Sequence, residues 1–231
     1  MIRLLTTVFI LVSIVACSGQ KYGSSTIFAH NDYVRQTPFH IAYDLEVGYI
    51  EADVFLVDDQ LMVAHHAHEI KDGNTLEKLY LDPLVRQVKK NGGSVYQDPA
   101  QRLTLMIDLK TESISTLTRL AEVLGKFPEL VTCSSLQFMI SGNVPAPDTW
   151  DKYPGFIYFD GRPGIAYTSD QLKRVSMIST NFQSHVKWDG KRLLPEQDRK
   201  KIQGLIKNVL QKERKYDSGP HPILKMHGKN S

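Results

Sequence analysis

The stretch YIEADVFLV, residues 49–57, is an apolar run interrupted only by Glu51 and Asp53. Its β-branched and aromatic composition predicts a buried strand. Because side chains alternate along a strand, the two carboxylates point to the same face. Carboxylates one strand repeat apart repel each other, and a divalent cation bound between them is a good reason to tolerate that repulsion.

Similar apolar runs alternate with helical patterns along the rest of the chain, which is typical of a parallel α/β protein. Further strands are predicted at residues 26–30, 103–109, 136–141, 155–159 and 175–180. Helices are predicted at residues 38–47, 76–89, 113–126 and 195–210, with a break at Pro83 in the second of them.

We therefore predict an α/β fold of the TIM (β/α)8 barrel type, C-terminally truncated, with about six of its eight strands present. An open doubly wound sheet is the alternative. That fold would need a Gly-rich phosphate loop after the first strand, and the sequence HNDY at residues 30–33 is not such a loop.

Polar side chains stand at the carboxyl ends of these strands, which form the active-site face of a βα barrel. The residues are His30, Asn31, Asp32, Asp108 and Lys110. His65 lies twelve residues after Asp53, close enough to return to the same rim. Their position favours one site shared with the two carboxylates of the second strand.

Each of these residues has a plainer interpretation when it is taken alone. A carboxylate pair is often a solvated strand face, a single histidine is often structural, and Asp108 with Lys110 can form a simple ion pair. Their occurrence at the ends of consecutive strands favours the site. His66 and His68 are interpreted as surface residues.

The N-terminus predicts a bacterial lipoprotein. Arg3 and the apolar residues 4–15 form a signal peptide (1–16) that ends in small residues before Cys17. Cys17 would be lipidated, and residues 17–25 would form a linker. An ordinary signal peptide is the alternative. The expected location is the bacterial cell envelope, with membrane attachment through this lipid.

Composition limits the remaining possibilities. The 231 residues suffice for one large domain, predicted at residues 26–215. A net charge of +3 without a basic stripe argues against nucleic-acid binding, and we expect a monomer. Cys133 is the only cysteine besides Cys17, so an intrachain disulfide is not expected.

Four motifs carry a resemblance to known proteins: AHNDY (29–33), YIEADVFLVDDQLMVAH (49–65), LEKLYLDPL (76–84) and LMIDLKT (105–111). In this order they resemble the superfamily of glycerophosphodiester phosphodiesterases and phosphatidylinositol-specific phospholipases C. The family of altered inheritance of mitochondria protein 6 is the closest resemblance. The resemblance extends over roughly residues 26–210 of this chain.

The resemblance implies a βα barrel and a metal-dependent phosphoric diester hydrolase that acts on a lipid-derived or glycerol-like phosphodiester. His30 and His65 would perform acid–base catalysis, and Lys110 would add positive charge for the phosphate. The cofactor would be Ca²⁺ or Mg²⁺. Its ligands would be the oxygen-bearing side chains Asn31, Glu51, Asp53 and Asp108.

The first motif departs from the glycerophosphodiesterase pattern. That family typically has His-Arg-Gly, whereas this chain has His30-Asn31-Asp32, which is more similar to the eukaryotic phospholipases C. One alternative is a cyclising lyase of the sphingomyelinase D type. Another is an inactive, truncated lipoprotein that only binds metal or a phosphorylated ligand.

Residues 216–231 show neither a helical nor a strand period, and we predict that this tail is irregular. Codons permitted for these residues specify, when read one nucleotide out of frame, an apolar strand, a turn and a helix start. The amino-acid sequence obtained in that other frame resembles the seventh-strand segment of the family named above. We therefore hypothesise a frameshift near codon 215 that replaces the last part of the barrel.

Overall fold

A single sheet organises the structure, a computed structural model that describes residues 23–214 and 223–227. Its strands are β1 Phe28–Ala29, β2 Tyr49–Val57, β3 Gln60–Val63, β4 Leu103–Leu109, β5 Leu136–Gly142, β6 Ile157–Gly161, β7 Val175–Asn181 and β8 Ile223–His227. The α-helices are α1 His40–Asp44, α2 Asp82–Lys90, α3 Ser113–Leu124, α4 Pro128–Val131, α5 Ser169–Leu172 and α6 Glu196–Arg214.

The strand order shows how the sheet is wound. Seven strands run parallel in the order β1-β2-β4-β5-β6-β7-β8, and β3 pairs antiparallel with β2. Each new parallel strand is added on the same side, and the sheet curls into a half-barrel. A doubly wound sheet reverses its order at a switch point. The described strands show no such reversal, so the doubly wound alternative is wrong.

All six predicted strands form in the structure, and the strand predicted at residues 103–109 has the bounds of β4. Two strands were not predicted. β3 returns along β2 through a tight turn at Asp58 and Asp59, which both have positive φ. The described residues therefore contain seven parallel strands rather than six.

The other additional strand corrects the prediction for the tail. Residues 216–231 were expected to be irregular, but Ile223–His227 forms β8 and pairs in register with β7. The physical reason is that an edge strand offers unpaired backbone N–H and C=O groups to any extended segment within reach. The frameshift itself stays a prediction.

The predicted helices also form, with one change at Pro83. A π-helical turn, Glu77–Leu81, leads directly into α2, and Pro83 lies in the first turn of α2. A proline is tolerated there because the first N–H groups of a helix have no intrahelical acceptor. Pro83 therefore marks a change of helix type and not a break.

The two faces of the sheet differ in what they bury. On one face, strand residues such as Leu105, Ile107 and Phe138 are fully buried in the main core, which also contains Leu117 and Leu120 of α3. This pattern agrees with the continuous apolar runs of parallel strands. The polar residues described below lie on the other face.

A small apolar cluster lies on that other face, below the polar strand ends. Met106, Met139 and Met177 are buried together, with Phe28 and Tyr49 packed against them. The three methionines precede Asp108, Ser141 and Ser179 by two residues, and they therefore point to the same face as those polar side chains. This methionine layer forms the floor of the polar edge.

The predicted signal peptide, Cys17 and most of the predicted linker lie outside the described residues. Within the described part of the chain, no helix is both long and apolar enough to cross a membrane.

We expect Leu105→Ala to lower the free energy of unfolding by about 2 to 5 kcal/mol, because it leaves a cavity at a fully buried position of β4. Leu193 is 95% exposed, and Leu193→Ala should change the free energy by no more than about 0.5 kcal/mol. Urea unfolding followed by circular dichroism measures both changes. Equal losses would contradict the described core.

Candidate functional site

Three carboxylates converge at the carboxyl ends of β2 and β4. Glu51 and Asp53 lie on β2, and Asp108 stands opposite Asp53 in the parallel register with β4. One oxygen from each carboxylate lies within 4.8 Å of the others. Glu51 and Asp53 are buried and Asp108 is half-buried. The structure thus brings together the three acidic residues that the sequence placed at one edge.

Lys110 places its ammonium group among these carboxylates. Its Nζ lies 2.9 Å from Asp53 Oδ2 and 2.8 Å from Asp108 Oδ1. Burial lowers the pKa of Lys110, but the two carboxylates outweigh that effect and raise it above its ordinary value. Burial likewise raises the pKa of Asp108, and Lys110 partly offsets the rise. Lys110 therefore stays charged and neutralises part of the acidic cluster.

Tyr33 is a contact point that the sequence did not reveal. Its hydroxyl lies 2.7 Å from Asp53 Oδ2, 3.0 Å from Asn31 Oδ1 and 2.9 Å from His65 Nδ1. Burial, followed by the hydrogen bond to Asp53, raises the pKa of the Tyr33 hydroxyl, so it stays protonated. Its one signal in the sequence is its place in the AHNDY motif.

His65 follows β3 and reaches back to the carboxylates. Its Nδ1 lies 3.2 Å from Asp53 Oδ2. Because Tyr33 has one hydroxyl proton and the Asp53 carboxylate is its strongest acceptor, both neighbours of His65 Nδ1 can accept from it. We infer the tautomer with the proton on Nδ1, which leaves the Nε2 lone pair as the base.

His30 and Asn31 follow β1 and face Glu51. His30 Nε2 lies 3.4 Å from Glu51 Oε2, and the Asn31 backbone N–H donates to the same oxygen at 3.1 Å. Asn31 adopts a left-handed backbone conformation with φ of 51°, which asparagine tolerates better than most residues. This turn brings both side chains to the carboxylates.

Asp32 anchors the loop that carries these residues. It is buried, and its Oδ2 accepts hydrogen bonds from the Phe39 N–H at 2.5 Å and the Tyr80 hydroxyl at 3.0 Å. Burial raises the pKa of Asp32, and these hydrogen bonds oppose the rise. Tyr80 belongs to the LEKLYLDPL motif, so this contact joins two of the motifs that the sequence showed separately.

The residues present fit a divalent cation. Within the described residues, the buried Asp53 Oδ1 has no hydrogen-bond partner, and it belongs to the carboxylate cluster. Carboxylate and amide oxygens suit Mg²⁺ and Ca²⁺. The predicted ligands Glu51, Asp53 and Asp108 meet this requirement, and Asn31 Oδ1 lies near Asp53 through their shared Tyr33 contact.

Comparisons with known proteins match mainly the N-terminal half of the chain. Residues 22–131 match the family model described as AIM6-like phosphodiesterase domain. This range contains every predicted catalytic and metal-binding residue, from His30 to Lys110. No solved structure matches the chain.

Curated relatives are fungal. An altered inheritance of mitochondria protein 6 homolog from Arthroderma benhamiae is 33% identical over 104 residues, covering 37% of this chain and 33% of the relative. Altered inheritance of mitochondria protein 6 from Eremothecium gossypii is 30% identical over 97 residues, covering 37% and 25%. The chain thus spans about a quarter to a third of the length of these relatives.

These comparisons correct the expected location. A bacterial cell-envelope lipoprotein was predicted from the N-terminus, but the relatives are fungal proteins whose name refers to mitochondria. The prediction was wrong because a short apolar segment before a cysteine is a weak signal, which several kinds of N-terminal segment share.

Gly142 provides a test of the packing around Asp108. At φ of +73°, a Cβ there would lie 2.3 Å from Asp108 Oδ1 and 2.6 Å from the Leu109 carbonyl oxygen. Gly190 has φ of +76° with nothing within 4 Å of such a Cβ. We expect Gly190→Ala to lower the free energy of unfolding by about 1 to 3 kcal/mol through backbone strain alone.

Gly142→Ala should lower the free energy of unfolding by roughly 1 to 3 kcal/mol more than Gly190→Ala does, because the backbone around Asp108 must move. Urea unfolding of both variants measures the difference. Equal costs would show that the contact between β5 and Asp108 is looser than described.

Proposed function

We propose that this chain is a metal-dependent phosphoric diester hydrolase, built on a TIM-type barrel and related to the phospholipase C-like phosphodiesterases. The observation that carries the proposal is the convergence of three carboxylates and two histidines at one sheet edge. It is supported by the match of residues 22–131 to a phosphodiesterase domain model. The proposed substrate is a lipid-derived or glycerol-like phosphodiester.

Glu51, Asp53 and Asp108, together with Asn31, would hold the cation, which we propose to be Ca²⁺ or Mg²⁺. When bound, such an ion neutralises charge on a non-bridging phosphate oxygen and orients the diester. The three carboxylates carry more negative charge than Lys110 alone neutralises, which supports a role for a further cation.

His65 serves as the general base in this proposal. Asp53 and Tyr33 hold its Nδ1 side, and its Nε2 takes the proton from the attacking hydroxyl of water. The buried Asp53 carboxylate, 3.2 Å from Nδ1, then lies beside the positive charge that forms on the ring and interacts favourably with it.

His30 serves as the general acid and protonates the leaving alkoxide. Glu51 Oε2 lies 3.4 Å from its Nε2 and holds the ring at the edge of the carboxylate cluster. The His30 side chain is 47% exposed, so substrate can reach it. Lys110 supplies positive charge beside the phosphate at the same edge of the sheet.

Hydrolysis of bis-p-nitrophenyl phosphate tests the proposal. The wild-type chain should release p-nitrophenol, and EDTA should abolish the release. His65→Ala should lower kcat/KM by roughly 100-fold or more, since general base catalysis contributes about that much. His68→Ala is the matched control, because this exposed histidine lies nearby without contacting the carboxylates. Activity that survives EDTA and His65→Ala would overturn the proposed mechanism.

The choice of nucleophile is tested separately. Phosphorus NMR of the products from glycerophosphocholine should show only an open phosphate monoester, because water is the proposed nucleophile. A cyclic phosphate as the first product would instead assign the chain to the cyclising lyases, with the neighbouring substrate hydroxyl as the attacking group.

A further inference from the structure

A second polar cluster lies at the same sheet edge, outside the residues that match the phosphodiesterase model. It joins the ends of β5, β6 and β7. Asp160 Oδ2 accepts hydrogen bonds from Ser141 Oγ at 2.9 Å, Ser179 Oγ at 2.6 Å and Arg162 Nη1 at 2.5 Å. None of these four residues has a role in the proposed mechanism of hydrolysis.

Burial differs sharply within this cluster. The Asp160 side chain is 1% exposed, and its Oδ1 has no partner among the residues that the structure describes. Arg162 is 43% exposed. The register of β6 and β7 shifts between Phe159 and Asp160, and such irregularities commonly redirect a side chain beside an active site. A buried anchor therefore holds an arginine that reaches solvent.

One edge of the Arg162 guanidinium remains available. All described hydrogen bonds of the guanidinium come from Nη1, which donates to Asp160 Oδ2, to Ser179 Oγ and to the Gly161 carbonyl oxygen. Among residues 23–209, whose side chains the structure describes, Nε and Nη2 have no hydrogen-bond or ion-pair partner. Arg174 differs, because its Nε, Nη1 and Nη2 all donate to backbone carbonyls. Arg174 is thus structural, whereas Arg162 keeps the Nε–Nη2 edge that binds two oxygens of one anion.

The distance from the carboxylates limits what this edge can bind. Ser141 stands opposite Asp108 in the register of β4 and β5, so the cluster begins one strand away from the proposed metal ligands. Arg162 follows β6, two strands from β4, and neighbouring strands are about 4.8 Å apart. Arg162 therefore lies roughly 10 Å from Asp108 along the edge of the sheet. This distance is longer than a single phosphate group can span.

We propose that Arg162 is a specificity residue that binds a second anionic group of the substrate, one that presents two oxygens as a phosphate does. This inference rests on the proposed phosphodiesterase function and narrows its substrate class to phosphodiesters with a further negative group several bonds from the diester. Asp160 is the positioning residue that fixes the guanidinium.

Two matched substrates test the assignment: the p-nitrophenyl phosphodiester of butanediol with its far hydroxyl either free or phosphorylated. Wild type should favour the phosphorylated diester by roughly 10- to 100-fold in kcat/KM, mainly through KM, as expected for a charge-assisted bidentate contact. Arg162→Gln should remove this preference and leave turnover of the free-hydroxyl diester within about 3-fold of wild type.

Two further variants keep the test specific. Arg162→Lys should restore only part of the preference, because lysine keeps the charge but lacks the planar fork. Arg199→Gln should keep all of it, since Arg199 pairs with Glu196 on the surface of α6. Equal losses on both substrates in Arg162→Gln would show a structural role and overturn the inference, as would a wild type without preference.

Binding separates this inference from the proposed function. Calorimetry should show that butanediol bisphosphate binds wild type at least roughly 10-fold more tightly than Arg162→Gln. If no diester is hydrolysed but this difference is found, the proposed function fails and the anion site stands. Equal affinities overturn the anion site, whether or not hydrolysis occurs.

Discussion

The parallel register of β2 and β4 puts Asp53 directly beside Asp108, with Glu51 on the same face. Carboxylates in this position repel each other strongly when they are buried, so positive charge must lie among them. Lys110 supplies part of that charge from within the chain. The opposite face of β2 fixes this register, because Ile50, Ala52 and Val54 are fully buried there and a slip of one residue would expose them.

Asp53 then connects the loops that carry the chemistry. One oxygen, Oδ2, contacts Tyr33 after β1, His65 after β3 and Lys110 after β4. Because the loops after β1, β3 and β4 meet at this one buried atom, the geometry of the site depends on the sheet beneath the loops. It also depends on the methionine layer that forms the floor of the polar edge. The polar cluster at Asp160 repeats this arrangement at the other half of the edge, where two serines and an arginine surround one buried carboxylate oxygen.

Much of this arrangement could be predicted from the sequence, because apolar runs and strand-end polar residues are local signals. The bounds of β4 and the convergence of Glu51, Asp53 and Asp108 follow from such signals. What depends on tertiary contact could not be read. Tyr33 becomes a contact point only when the loop folds over β2, and Lys110 lies between two carboxylates only because of the strand register. β8 forms because the edge of β7 is available to it.

The binding of Mn²⁺, followed by electron paramagnetic resonance, tests the central claim that this register creates a cation site. We predict that the wild-type chain binds Mn²⁺ in competition with Mg²⁺ or Ca²⁺. Asp53→Asn should abolish the binding, and Asp148→Asn, a change at an exposed residue between β5 and β6, should leave it unchanged. Absence of Mn²⁺ binding in the wild type, or equal binding in Asp53→Asn, would contradict the account.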